Sequence, residues 1–229
     1  MAAATFVDGD PLSPVSVDVM DKDVMVGFGG KQAWLAVRDG EPGAVLAALG
    51  LRDLGPAPWR EGIDLAYLTD DRVAVTPPLP GARGLSWVLA TGRRLIRPDT
   101  SVDVVDLSGR LRTEVQFFAT HRVTELHRWQ RAADGVLIRA FGYVGQTGEV
   151  TSWHGDPDPA EREAGLPGVL EPDTTVLVGE RDVLKVADAW SIDPTALTGR
   201  PASGPLLIGA AGLLPAPGPP DGAENPGEY

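Results

Sequence analysis

The dipeptide Asp134-Gly135 constrains the fold more than any other feature, because Asp-Gly between two β-prone runs is a strong signal for a tight hairpin. Residues 122–130 lie before it and residues 136–144 follow as the partner strand. The run 145–148 (GQTG) then supplies a second turn before residues 149–153. The sequence therefore predicts a three-stranded antiparallel unit in the second half of the chain.

An amphipathic helix is predicted just before this unit. Leu111, Val115 and Phe118 recur at helical spacing, and Phe117 widens the apolar stripe. An apolar face of this size would pack on a sheet. We therefore expect a helix over residues 108–120.

The first half of the chain reads mainly as strands. Short β-like runs at 15–19, 23–28 and 33–37 predict a meander, and two more apolar runs follow at 72–76 and 85–91. The prolines that follow residue 76 cannot donate to a central ladder, so this strand must stop or lie at an edge.

Short helices are predicted between and after these strands. A Pro-Gly start and a closing glycine favour one at 44–49, and residues 59–67 are ambiguous between helix and strand. Asp158, Pro159 and Glu161 have the order of an N-cap, a first-turn proline and a capping-box glutamate. Residues 182–190 carry a helical apolar stripe.

These elements predict an α+β fold, a mainly antiparallel sheet with a few short helices packed on one face. We expect a single globular domain over residues 1–199, divisible into halves 1–100 and 101–199. The last 30 residues, 200–229, contain seven prolines and six glycines. That composition predicts a mostly disordered tail, in which the apolar residues 206–208 and 213–214 are the candidates for contact with the folded body or with a partner.

The charge excludes several classes of partner. The chain has 32 acidic and 20 basic residues, a net charge of −12, which disfavours nucleic acids and anionic membranes.

There is no cysteine, which excludes disulfides and thiolate chemistry. The N-terminus lacks the pattern of a signal peptide and no run approaches the roughly 18 apolar residues of a membrane span, so we expect a cytoplasmic protein.

All three histidines lie in one part of the sequence. Glu125 and His127 share one face of a strand, with His121 near the end of the predicted helix. Together with Arg139 they are the candidates for an acid–base or metal-dependent site. Because no metal-binding spacing is present, no metal ligand or cofactor is assigned. The alternative interpretation is a sheet surface with a hydrogen-bonded histidine.

A second group of residues is a candidate interface. Tryptophan is enriched at binding hot spots, and Trp129 and Trp153 lie on strands beside charged residues. Asp156, Asp158 and Glu161 form an acidic cluster next to them, which would suit a basic protein partner. The alternative interpretation is a pair of core tryptophans and a solvated helix start.

Three segments carry a resemblance to a known group of sequences. They are VAVTPP at residues 73–78, FATHRV at 118–123, and the run from Gly135 through Gly148 with its R-A-x-x-Y-x-G-x-x-G-E pattern. They resemble a group of uncharacterised actinobacterial proteins. The resemblance covers roughly residues 20–195. This group has no assigned activity, so the resemblance implies domain limits and no chemistry.

Three functions fit these patterns. The first is a non-enzymatic, cytoplasmic protein-binding module with an acidic surface, of which an immunity-type inhibitor of a basic toxin is one form. The second is a small enzyme, with or without a metal, built on His121, Glu125, His127 and Arg139. The third is an assembly component tethered through its C-terminal tail.

Overall fold

The computed structural model describes residues 5–7, 10–12, 23–97, 102–171 and 174–212. The strands, in chain order, are β1 (Thr5–Val7), β2 (Asp10–Leu12), β3 (Ala33–Arg38), β4 (Leu51–Ala57), β5 (Arg72–Val75), β6 (Leu79–Pro80), β7 (Ser86–Thr91), β8 (Glu114–His121), β9 (Leu126–Ala133), β10 (Val136–Val144), β11 (Glu149–His154) and β12 (Leu206–Ala211). The helices are α1 (Pro42–Ala48), α2 (Trp59–Leu68), α3 (Val104–Leu111), α4 (Pro159–Glu163) and α5 (Glu180–Trp190), with 3₁₀ turns at Ala82–Gly84, Arg93–Ile96 and Pro194–Leu197.

One large sheet organises the molecule. Its strands lie in the order β11-β10-β9-β8-β3-β7-β5-β12-β4, with β6 paired to β7, and every pairing is antiparallel. The strands β1 and β2 pair only with each other. The expected α+β class with a mainly antiparallel sheet is confirmed.

Both faces of the sheet are buried. Trp34 and Phe118 point into one core, which is covered by α2 and α5. Leu35 and Phe117, their neighbours in sequence, point into the other core, which is covered by α1 and α3. The helices therefore lie on both faces, and the expectation that they share one face was wrong in this detail. The central strands β3, β5, β7 and β12 are mainly apolar because both of their faces are covered.

The predicted hairpin unit is confirmed. Asp134 and Gly135 both have positive φ, 49° and 81°, as a tight turn between β9 and β10 requires. The first strand starts later than expected, since residues 122–125 form the turn between β8 and β9. The GQTG run turns the chain into β11 as predicted.

The predicted helix over residues 108–120 was wrong. Helix α3 ends at Leu111, and Arg112 adopts a left-handed conformation (φ 51°) that turns the chain into β8. The adjacent Phe117 and Phe118 are both buried, on opposite faces of the sheet. The apparent helical spacing is produced by a strand that is buried on both sides.

The tail was predicted to begin at residue 200, but the folded body extends beyond that residue. β12 lies between β5 and β4 in the sheet, so residues 206–211 belong to the folded body. Residues 213–229 lie outside the described part of the chain, as does the predicted strand at 15–19. The run 23–28 forms only a single bridge, from Val24 to Pro201, where a strand was predicted. Within the described residues, no helix has the length and apolar character needed to cross a bilayer.

Candidate functional site

His127 lies in a row of polar side chains that crosses three strands. It is opposite Thr120 of β8 and Tyr143 of β10 in the strand register. Thr120 Oγ1 is 3.2 Å from His127 Nδ1, which fixes the orientation of the ring. His127 is 5% exposed and Tyr143 is 4% exposed.

This row opens into a groove of about 510 Å³. The groove lies where the ends of β9 and β10 meet the N-terminus of α5. Its walls are Arg122, Glu125, His127, Tyr143, Gly145, Leu177, Val178, Gly179 and Glu180. A volume in this range is typical of sites that bind small molecules or side chains.

Two turns shape the mouth of the groove. Gly145 N–H donates to Glu125 O at 2.9 Å, and Gln146 Nε2 donates to Val123 O at 2.6 Å. Glu125 adopts a positive φ of 47°, and its carboxylate lies against Gly145, where an added Cβ would meet Oε2 at 2.5 Å. The position of the Glu125 carboxylate is thus set by the packing of both turns.

A guanidinium–carboxylate pair ties the first of these turns to α5. Arg122 donates to both oxygens of Glu180, with Nη2 to Oε1 at 2.8 Å and Nε to Oε2 at 3.2 Å. Arg122 remains 64% exposed in its side chain. The pair raises the pKa of Arg122, chiefly through this hydrogen bond. Bidentate pairing of this kind is the preferred geometry of arginine with a carboxylate.

The surroundings of His127 favour the neutral form of its imidazole. Burial lowers the pKa of its imidazole below 6.5, an effect that the carboxylates of Glu180, Glu125 and Asp182 partly oppose. The ring is therefore mainly neutral at pH 7, and it carries one donor and one acceptor nitrogen.

Two oxygen-bearing groups that line the groove are open to a ligand. Within the described ranges, neither the Tyr143 hydroxyl nor the Glu125 carboxylate makes a hydrogen bond. The Glu125 side chain is exposed, and the Tyr143 hydroxyl is not one of the buried polar atoms left unpaired, so both are accessible from the groove. Over the same ranges, there is no group of three or more His, Asp or Glu residues that could hold a metal ion.

The other candidate residues are not brought to this groove. His121 Nδ1 lies 3.1 Å from Thr124 Oγ1, and His154 Nε2 lies 3.3 Å from Leu137 O. Arg139 lies on the same face of the sheet, but it points into a different cluster. Of the four predicted acid–base residues, only Glu125 and His127 share the groove.

Arg139 belongs to a buried ion pair. Its Nε donates to Glu161 Oε1 at 2.7 Å, and the side chains are 3% and 0% exposed. Trp129 Nε1 donates to the same oxygen at 2.6 Å. Arg139 Nη1 also donates to the carbonyls of His154 and Gly155.

The predicted interface is therefore mostly internal. Trp129 and Glu161 are fully buried, and Asp158 accepts a hydrogen bond from Trp190 Nε1 and caps α4. Trp153 is partly buried, 4.4 Å from the Arg139 guanidinium. Asp156 alone is exposed. Strand periodicity places the tryptophans on a face, but it does not say whether a helix covers that face.

A second buried carboxylate draws in several arginines. Arg83 donates to Glu114 with both terminal nitrogens, and Arg131 and Arg38 lie 2.8 and 3.7 Å from it. Burial alone would raise the pKa of Glu114, but the hydrogen bonds from Arg83 and Gln116 and the charge of Arg131 outweigh it and lower the pKa below 4.5.

An apolar groove on α2 is the other notable surface feature. It has a volume of about 610 Å³ and is lined by Pro58, Arg60, Glu61, Asp64, Leu65, Leu68 and Thr69. Leu68 is 69% exposed, and the exposed carboxylates of Asp64 and Glu61 lie one and two turns before it. This surface combines apolar area with two carboxylates and the guanidinium of Arg60.

Sequence reasoning missed Tyr143, Glu180 and Leu177 as groove residues. The position of Tyr143 opposite His127 depends on a register shift in the hairpin, and the other two come from a segment remote in sequence. Comparisons with family models, curated proteins and solved structures found no match for this chain.

Proposed function

We propose that this chain is a cytoplasmic, non-enzymatic binding module whose acidic surface recognises a basic protein partner. An immunity-type inhibitor of a basic toxin is one form of this function. The absence of cysteine suits a reducing compartment.

The observation that supports this proposal is the outward placement of the acidic residues. Among the described residues, the buried charged side chains are those of Glu114, Glu161 and Arg139. Setting these three aside from the 20 basic and 32 acidic residues leaves 19 and 30 for the rest of the chain. The excess of negative charge therefore lies outside the core, which favours steering of a basic partner.

We place the contact on α2. Its groove offers Leu65 and Leu68 as apolar area, with Glu61 and Asp64 at the rim. A basic, amphipathic segment of the partner fits this combination, since its apolar residues would fill the groove and its cations would face the carboxylates. Charge at such a rim mainly increases the rate of association.

Charge reversal tests this assignment. The immobilised protein is exposed to native lysate at low salt, retained proteins are identified, and the candidate partner is purified and titrated. We expect a partner with a high isoelectric point whose affinity falls at least tenfold with Glu61→Lys plus Asp64→Lys. Asp156→Lys plus Glu163→Lys is the matched control, because both residues are exposed and the pair changes the net charge equally near the opposite edge of the sheet.

Two results contradict the proposal. One is retention of no basic protein by the wild-type chain at low salt. The other is an equal loss of affinity in both double variants, because the loss would then come from the net charge and not from a docking face on α2.

The enzymatic alternative loses its basis as a four-residue site. Arg139 is committed to Glu161, and His121 is engaged with Thr124 outside the groove. Of the four residues, Glu125 and His127 remain together in the groove, and their surroundings favour ligand binding.

A further inference from the structure

We infer that the groove beside His127 binds an organic cation, a guanidinium or ammonium group carried on an aliphatic stem. This inference rests on the proposed function insofar as the cation is a side chain of the basic partner. The same chemistry is also present in free small molecules.

Two oxygen-bearing groups of the groove are open to a ligand. The Tyr143 side chain is 4% exposed, and its hydroxyl has no hydrogen-bond partner in the described ranges and is accessible from the groove. The exposed Glu125 carboxylate is likewise without a hydrogen bond there, and it lies against Gly145. A cationic donor would satisfy both groups, and hydrogen bonds to charged groups are stronger than neutral ones.

The groove already holds one guanidinium. Glu180 receives two hydrogen bonds from the exposed side chain of Arg122 at the mouth. Glu180 is therefore already engaged, and Glu125 is the carboxylate left for a second cation. A second cation that enters beside Arg122 would meet Glu125, which has no ion-pair partner among the described residues.

The outer wall suits an aliphatic stem. Leu177 is 78% exposed, and Val178 lies beside it in the wall of the groove. Long cationic side chains lay their methylene groups along apolar surface while the charged end reaches polar groups. The volume of about 510 Å³ leaves room for both parts of such a ligand.

Other ligand classes fit less well. An anion would face Glu125 and Glu180, and the Gly179 N–H at the start of α5 is already capped by Asp182 Oδ2 at 2.9 Å. A metal ion lacks ligands, because the described residues contain no cluster of three suitable side chains. An organic cation uses the carboxylates, the phenol and the apolar wall together.

The test compares a cation with its neutral analogue. N-acetyl-arginine amide and N-acetyl-citrulline amide are titrated into the full chain and followed by the NMR signals of the His127 ring. We expect saturable binding of the arginine compound and binding at least tenfold weaker for citrulline, which keeps the shape but lacks the charge. Equal responses to the two compounds would overturn the inference.

Variants locate the site. Glu125→Gln is exposed and keeps the side-chain shape, so it should leave stability unchanged and weaken binding of the arginine compound about tenfold, the expected size for one charged hydrogen bond. Tyr143→Phe removes only the hydroxyl and should weaken binding several-fold. Glu149→Gln is the control for charge alone and should change binding less than twofold. Unchanged affinity in Glu125→Gln would also overturn the inference.

A third arm distinguishes the sources of the cation. A short peptide with one arginine between leucines is compared with the free arginine amide. Tighter binding of the peptide assigns the cation to a protein partner, and tighter binding of the free amide assigns it to a small molecule. If a basic partner binds the wild type and Glu125→Gln equally, this inference is contradicted, whereas the proposed function is not. Binding of arginine amide by a chain that retains no basic protein contradicts only the proposed function.

Discussion

The buried pair of Arg139 and Glu161 gives the sharpest prediction for stability. In Glu161→Ala the carboxylate that accepts from Arg139 Nε, Trp129 Nε1 and the backbone N–H of Asp158 is lost. Arg139 is then left as a buried charge without its ion-pair partner. Breaking a buried pair by removing one member costs about 3–5 kcal/mol.

That cost is large enough to measure by two methods. For a domain of this size, each kcal/mol lowers the melting temperature by about 2–4 °C, so we expect a fall of about 6–20 °C. Urea unfolding followed by tryptophan fluorescence should give the same loss of free energy, with an unchanged slope against urea concentration. Trp129 donates to Glu161, so its emission reports on the site directly.

The neighbouring Glu163 supplies the control. It lies two residues further along α4 and is exposed, so Glu163→Ala should change the free energy of unfolding by no more than about 0.5 kcal/mol. Combining Glu161→Ala with Arg139→Met should cost less than the sum of the single variants, because the orphaned charge is removed. A loss below about 1 kcal/mol in Glu161→Ala would refute the reasoning.

Two further predictions concern the other buried carboxylate and the end of the chain. The pKa of Glu114 is lower in the folded chain than its ordinary value of 4.5, so the ionised carboxylate stabilises the folded state. This stabilisation is fully present above pH 4.5 and is lost as the pH falls through the folded pKa, because the unfolded chain then binds the proton more readily. The difference in free energy of unfolding between wild type and Glu114→Gln should therefore narrow below pH 4.5 in urea titrations, whereas a constant difference from pH 3 to 7 would contradict it. A chain that ends at Gly212 should keep its circular dichroism spectrum and cooperative unfolding, because β12 is complete. A chain that ends at Arg200 should lose both, and native-like unfolding of this shorter chain would contradict the position of β12 inside the sheet. The chain that ends at Gly212 also tests tethering by residues 213–229: lost assembly with an intact fold supports it, and unchanged assembly argues against it.

Local turn chemistry made the hairpin unit predictable, but its register depends on an irregularity. Asp134-Gly135 fixes where β9 and β10 reverse. A regular ladder from that turn would place His127 opposite Gly142, whereas a register shift between Leu137 and Arg139 places it opposite Tyr143. A single inserted residue moves every side chain by one place, so the sequence alone could not pair His127 with the tyrosine.

The two main errors in the predicted fold have different causes. β8 is apolar at consecutive positions because each face packs against a core, and such a run has no period that separates strand from helix. β12 is short and surrounded by prolines and glycines, so composition indicated a tail. Its partners β4 and β5 lie more than 130 residues earlier in the sequence, and no local pattern could connect them.

Glu161 shows how one correct local prediction limits another. The capping box of α4 is formed as predicted, with Glu161 Oε2 accepting from the backbone N–H of Asp158. A glutamate held against its own helix start cannot also extend toward a partner, and its second oxygen is directed at Trp129 and Arg139. The sequence thus contained an argument against Glu161 as an exposed interface residue.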